Sequence, residues 1–189
     1  MASIYQLKSA FQNVLRPLTR ALAAAHVTAN QVTLAALALS CLVGGVIAAH
    51  PNQTSLLLLL PGTLCIRMAL NAIDGMLARE HNMKTRLGAV LNELGDVVSD
   101  SALYLPLALV PALNHWLVVG LVILAVIVEM VGVVGIQIGA SRNYAGPMGK
   151  SDRAFAFGLI ALLLGLGVAE GAWVTAALSI MLLLSLFTI

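Results

Sequence analysis

Charged residues are scarce in this sequence of 189 residues, at 10% of the chain, whereas 60% of the residues are hydrophobic. A soluble domain carries about a quarter charged residues, and the mean hydropathy of +0.99 lies far on the apolar side. These values exclude an ordinary soluble globular protein. A bilayer core needs about 20 apolar residues for each helix that crosses it. The composition therefore predicts an integral membrane protein built from several helical spans.

Cysteine and histidine are also rare. The two cysteines, Cys41 and Cys65, lie within apolar runs, so the sequence predicts neither a disulfide framework nor a thiolate metal site. The four histidines are scattered at positions 26, 50, 81 and 115, which is not the spacing of a zinc site. The net charge of +2 says little by itself. We expect no nucleic-acid partner.

The first 27 residues form a segment of their own. Within residues 3–25, apolar side chains fall on one helical stripe and the basic and amide residues lie elsewhere on the helix. We interpret this segment as an interfacial amphipathic helix. The alternative is a signal peptide, whose positive charges would be gathered before a compact apolar core. The predicted domains are residues 1–27, the interfacial juxtamembrane helix, and residues 28–189, the membrane-spanning domain.

Several apolar stretches follow, each long enough for one span. Their approximate ranges are 30–49, 54–79, 87–113, 115–141, 153–169 and 171–189. Lysine and arginine fall on one side of these spans, which predicts a cytoplasmic location for both termini and for the basic loops. The predicted fold class is all-α integral membrane, with six transmembrane helices preceded by an N-terminal interfacial amphipathic helix. The predicted location is the cell inner (cytoplasmic) membrane.

Ionisable side chains inside these spans are costly to bury and therefore need partners. Spans two and three are joined by a short turn, so residues whose numbers sum to about 167 lie at equal depth. Asn71 then faces Asp96, and Arg67 faces Asp100. We interpret Arg67 and Asp100 as a structural ion pair. Glu129, at the same depth, is either a second partner of Arg67 or a protonated acid.

A specific motif lies in spans two and three, where residues 71–96 read NAIDGMLAREHNMKTRLGAVLNELGD. This stretch resembles the signature of the CDP-alcohol phosphotransferase (CDP-alcohol phosphatidyltransferase) family, which is DxxDGxxAR, then eight residues, then GxxxDxxxD. The matching residues are Asp74, Gly75, Ala78, Arg79, Gly88 and Asp96. Asn71 and Asn92 stand at the first and third acidic positions of the signature. More loosely, the resemblance covers the whole chain.

The resemblance implies an enzyme that moves a phospho-alcohol group from a CDP-alcohol, such as CDP-diacylglycerol, to a hydroxyl acceptor and releases CMP in phospholipid biosynthesis. It implies Asp96 as the catalytic base, with Mg²⁺ or Mn²⁺ held by Asp74, Asp96, Asn71 and Asn92. It implies a nucleotide site at Gly75, Ala78, Arg79 and Gly88. Because two of the four acidic ligands are replaced by amides, we expect a lower affinity for the cation.

The partners are less well defined. Arg142, Lys150 and Arg153 lie on the same side as the motif and are candidates to bind a phosphorylated acceptor, but the positive-inside bias alone also explains them. The acceptor is a small alcohol, a phosphorylated alcohol or a membrane lipid. Gly135 and Gly139 form a small-residue face that suits a contact within the bundle or a dimer, and the resemblance implies a homodimer.

Two other functions remain open. One is a degenerate member of the same family that binds a nucleotide-lipid without turnover, which the two asparagines favour. The other is a small membrane transporter, whose charged residues would line a pathway. The transporter is disfavoured because the polar residues stop about halfway across the membrane, and a pathway needs polar groups throughout.

Overall fold

The computed structural model describes residues 4–139 and 146–189, and the backbone of these residues forms helices and short connections without strands. The helices are α1 (Ile4–Ala24), α2 (Ala29–Ala49), α3 (Leu59–Glu80), α4 (Arg86–Tyr104), α5 (His115–Gln137), α6 (Lys150–Gly165) and α7 (Ala172–Leu186). Single 3-10 turns at Thr54–Leu58 and Leu105–Leu109 precede α3 and follow α4. The prediction of an all-α protein is confirmed.

Three helical stretches in the described part of the chain are long and apolar enough to cross a membrane, namely Ala29–Ala49, Thr54–Glu80 and His115–Gln137. Helix α4 carries several charged residues, and α6 and α7 are shorter, at 16 and 15 residues. A span of about 20 residues is needed for a full hydrocarbon core. The count of six spans therefore stays a prediction.

Helix ends differ from the predicted spans by several residues, and two of them have a clear physical cause. The third span was expected to run to residue 113, but α4 gives way to a 3-10 turn that contains Pro106 near its start, because proline cannot donate the backbone hydrogen bond that continues an α-helix. The fourth was expected to reach residue 141, but α5 ends at Gln137 and Gly139 has a φ of +80°. Gly135 and Gly139 therefore do not share one helical face.

The start of α2 has a reciprocal cap. The backbone N–H of Gln31 donates to Oγ1 of Thr28 at 3.3 Å, and the N–H of Thr28 donates to Oε1 of Gln31 at 2.9 Å. This is a capping box, in which two otherwise unpaired N–H groups are satisfied. Thr28 is therefore the N-cap residue of α2.

The chain divides into two compact units, one formed by Met1–Leu39 with Cys65–Asp96 and the other by Ser40–Leu64 with Val97–Ile189. In the first unit, α1 packs against a small buried core that includes Val32, Ile73 and Leu77. Thr19 of α1 is fully buried there, while Val14 remains 77% exposed. Helix α1 thus has one face buried against the protein, and it carries exposed apolar residues on another face. Its placement at the membrane interface stays a prediction.

The second unit contains the larger apolar core. Its fully buried members include Leu60, Leu103, Val118, Leu121 and Leu178. Within it, the ring of Tyr104 stacks on Phe157 with centroids 4.5 Å apart and an interplanar angle of 19°. Helices α2 and α4 approach closely at Gly44, where a Cβ atom would overlap the carbonyl group of Ala102. A glycine is therefore required at position 44.

We expect Gly44→Ala to destabilise the protein by about 1–3 kcal/mol, because the added methyl group forces the two helices apart. Gly45→Ala is the matched control, since a Cβ at Gly45 meets nothing within 4 Å and alanine is the better helix former. The measurement is the thermal midpoint of both variants in one detergent. Equal midpoints would contradict the tight α2–α4 contact.

Candidate functional site

The polar faces of α3 and α4 meet at Asp96. Nδ2 of Asn71 donates a hydrogen bond to Oδ1 of Asp96 at 3.0 Å, as expected from equal depth along the hairpin. Nη2 of Arg67 lies 3.8 Å from the same oxygen, and the Arg67 side chain is only 5% exposed against 25% for Asp96. The carboxylate of Asp96 thus has an amide donor and a buried guanidinium beside it.

Helix α2 contributes a further polar residue through Thr33. Its hydroxyl lies 2.8 Å from Oδ2 of Asp74 and 3.1 Å from the carbonyl oxygen of Ala29. Asp74 is only 5% exposed, so a donor to its carboxylate offsets part of the cost of burying it. Thr33 was not among the predicted site residues. The available signal was a polar stripe, because Thr33 follows Asn30 by one turn of α2.

The two motif glycines make room for protein side chains. A Cβ at Gly75 would lie 3.2 Å from both terminal nitrogens of Arg79, so this exposed guanidinium lies over Gly75. A Cβ at Gly88 would lie 2.6 Å from Oδ1 of Asn30. The N–H of Gly88 also donates to Oγ1 of Thr85 at 2.8 Å, at the start of α4. Close approach by a nucleotide is therefore not needed to explain either glycine.

The remaining motif residues lie on the same two helices. Ala78 packs on the small core of the first unit. Asn92 is half-buried on α4, one turn before Asp96. The expected nucleotide and metal roles of these residues stay predictions.

The second unit contains a buried ion pair. Nη2 of Arg153 donates to Oε1 of Glu129 at 3.3 Å, and Nη1 donates to the carbonyl oxygen of Met148 at 3.2 Å. Arg153 is completely buried. Glu129 thus has a structural partner that its depth in the sequence did not indicate, and Arg153 lies in the core instead of on a loop surface.

The other predicted residues are more scattered. Asp100 is 6% exposed. It lines a cavity of about 10 Å³ together with Ser101, Tyr104, Glu129 and Arg153, which is about the space of one water molecule and far too small for a lipid substrate. Lys150 begins α6 and is half-buried. Arg142 lies outside the described residues.

The donor atoms of the first unit suit a hard cation by type. Asp74 and Asp96 supply carboxylate oxygens, and Asn71 and Asn92 supply amide oxygens, which are the ligands that Mg²⁺ and Mn²⁺ prefer. The number of charged ligands is low, however. In the described parts of the chain, no three His, Cys, Asp or Glu residues lie together in a group that could hold a metal.

These helices and motif residues define a family. Residues 26–188 match the family described as CDP-alcohol phosphatidyltransferase, and the chain belongs to this family. It is 50% identical over 186 residues to the inner membrane protein YnbA of Escherichia coli strain K12, which covers 98% of this chain and 92% of the relative.

Solved structures with a similar fold include the phosphatidylinositol phosphate synthase PgsA1 of Mycobacterium tuberculosis. The crystal structure of that protein with manganese and citrate has a TM-score of 0.70 at 20% identity, and the match covers 91% of this chain and 82% of that one. The structure of the same protein with CDP-DAG bound has a TM-score of 0.71 at 20% identity, with 93% and 88% coverage. At this identity the likeness concerns the fold.

We expect Thr33→Val to destabilise the protein by about 1.5–3 kcal/mol, because it removes a hydrogen bond to a buried carboxylate. Thr33→Ser keeps the hydroxyl and should stay close to the wild type. Ser185→Ala is the control, because that buried hydroxyl donates to the carbonyl oxygen of Met181 in its own helix. The measurement is chemical or thermal unfolding in detergent, and equal losses for valine and serine would refute a role for the Thr33–Asp74 bond.

We expect Glu129→Leu to destabilise the protein by about 3–5 kcal/mol, because it leaves the buried guanidinium of Arg153 without this carboxylate. The double variant Glu129→Leu/Arg153→Met removes both charges and should recover much of the loss. Unfolding of the single and double variants gives the coupling between the two side chains. A double variant as unstable as the single one would show that the pair is not coupled.

Proposed function

We propose that this protein transfers a phospho-alcohol group from a CDP-alcohol, such as CDP-diacylglycerol, to a hydroxyl acceptor and releases CMP. The observation that carries the proposal is the state of Asp96, a half-exposed carboxylate held by Asn71 at 3.0 Å at the fourth acidic position of the family motif. Membership of the CDP-alcohol phosphatidyltransferase family supports the reaction class. The related fold of a synthase crystallised with CDP-DAG supports the donor.

In the proposed reaction, Asp96 accepts the proton of the acceptor hydroxyl as that oxygen attacks the β-phosphorus of the CDP-alcohol. The bond between the phosphorus and the bridging oxygen breaks, and CMP leaves with the electron pair. Arg79 is exposed on α3, where its guanidinium can donate to two oxygens of a phosphate in a bidentate manner. Proton removal by a placed carboxylate contributes typically about 10²–10⁴-fold to the rate of such reactions.

A divalent cation, Mg²⁺ or Mn²⁺, completes the proposed site. When bound, it neutralises charge on the phosphate oxygens. The residues that would hold it are Asp74 and Asp96, with the amide oxygens of Asn71 and Asn92. A crystal structure of the synthase with the related fold contains manganese, which supports this choice of ion.

We further propose that the protein lies in the cell inner membrane, with both termini and the site facing the cytoplasm. The three long apolar helices and the relative named as an inner membrane protein support the location. The positive-inside rule supports the orientation. A homodimer and an acceptor phosphate site formed by Arg142, Lys150 and Arg153 are parts of the same proposal. The burial of Arg153 means that such an acceptor site would need Arg153 to exchange its partner.

A second candidate function is binding of a nucleotide-lipid without turnover. The observation that favours it is the neutral Asn71 beside Asp96, together with a neutral Asn92, where the family motif has acids. The discriminating variant is Asn71→Asp/Asn92→Asp. If this variant releases CMP and the wild type binds CDP-diacylglycerol without releasing any, the protein is a binding member of its family.

The test of transfer is CMP release by the purified protein with CDP-diacylglycerol, Mg²⁺ or Mn²⁺ and a panel of acceptors. Glycerol phosphate, serine, an inositol phosphate and a second lipid cover the acceptor classes. We expect Asp96→Asn to lower the rate about 10²–10⁴-fold, as is typical when a general base is removed. Glu93→Gln removes a carboxylate from the same helix and is the control. Equal rates for both variants would contradict the role of Asp96.

A further inference from the structure

The protein itself supplies a positive charge beside Asp96, through Arg67. Nη2 of Arg67 lies 3.8 Å from Oδ1 of Asp96, within ion-pair distance, and Nδ2 of Asn71 donates to the same oxygen. Arg67 is 4% exposed as a residue, so its guanidinium cannot move out into water without reorganising the helix. An arginine side chain remains protonated under all ordinary conditions. Arg67 therefore places a positive charge beside the Asp96 carboxylate.

The charge balance of the site argues against a pair of divalent cations. The motif residues supply two carboxylates, Asp74 and Asp96, and Arg67 offsets one of them. A cation bound at Oδ1 of Asp96 would lie within a few ångströms of the Arg67 guanidinium, and like charges at that separation repel each other. Asn71 adds to the difficulty, because its N–H group already donates a hydrogen bond to Oδ1 of Asp96.

We infer that Arg67 and Asn71 stabilise the Asp96 carboxylate in place of a second divalent cation. The site then binds no more than one divalent cation. The inference rests on the proposed function for the identity of the cation, but it concerns the number of ions and not the turnover. Arg67 acts as a positioning residue, since it holds the Asp96 carboxylate by charge while the amide of Asn71 holds it by a hydrogen bond.

The inference is tested by counting Mn²⁺ ions per chain with electron paramagnetic resonance, in nanodiscs of phosphatidylcholine and with CDP present. We expect one ion for the wild type. Arg67→Leu/Asn71→Asp removes the fixed charge and restores an acid, and it should take one ion more. Two ions in the wild type, or no gain in the double variant, would overturn the inference.

Three control variants separate charge from folding. Arg67→Lys keeps a positive charge and should retain the wild-type count. Arg16→Met removes an arginine from the same unit, where it pairs with Glu80 at 3.1 Å on the surface, and should also retain it. If the double variant does not fold, the number of Mn²⁺ ions bound by Asn71→Asp alone is the test. It keeps Arg67, so a gain of one ion by this variant would overturn the inference.

Failure of the proposed function gives a different result. Absence of CMP release with unchanged ion counts refutes transfer and leaves the role of Arg67 intact. A wild type that binds no Mn²⁺, with a double variant that binds one, supports the role of Arg67 and contradicts the metal-dependent mechanism. A wild type that releases CMP and binds two ions supports transfer and overturns the inference.

Discussion

The hydrogen bond from Asn71 to Asp96 links the polar faces of α3 and α4, and the rest of the first unit depends on it. A carboxylate on a helix surrounded by apolar residues must find donors on a neighbouring helix, because burying it alone costs far more than a hydrogen bond returns. Because Arg67 lies beside the same oxygen, Asp96 has both a hydrogen-bond donor and a neighbouring positive charge. The rotation of α3 and α4 about their axes follows from this requirement.

Helix α2 adds the donor for the second carboxylate. Thr33 reaches Asp74 at 2.8 Å, and Asn30 lies so close to Gly88 that a side chain at position 88 would meet its oxygen. The structure thus explains the small size of these motif residues without a ligand, because a small residue lets a polar side chain approach the backbone. Arg79 lies over Gly75 in the same way.

The second unit shows how a basic residue near a loop enters a core. Arg153 lies in the first turn of α6, where positive-inside bias alone explains a cation, yet it is fully buried against Glu129 and the Met148 carbonyl. Removing either charge of such a pair leaves the other without compensation. The pair therefore holds the start of α6 against α5.

Much of this arrangement was predictable from local pattern. The long apolar runs indicated helices, and the short turn between α3 and α4 placed Asn71 opposite Asp96. The order of Asp74, Gly75, Ala78, Arg79, Gly88 and Asp96 indicated the family. Each of these rests on residues within one helix or one hairpin, where the helical rise and spacing determine which side chains are neighbours.

Contacts between distant segments were decided by the tertiary structure. Thr33 and Asp74 are 41 residues apart in the chain and Glu129 and Arg153 are 24 apart, and helical periodicity does not specify which faces of separate helices pack together. The same holds for the approach of Arg67 to Asp96, which depends on the rotation of two helices as well as their depth. The local pattern of residues was sufficient to place the helices, the motif and the pairing within the hairpin. Packing decided the donors and charges around each carboxylate, because burial requires every charged group to find its partner wherever the chain brings one within reach.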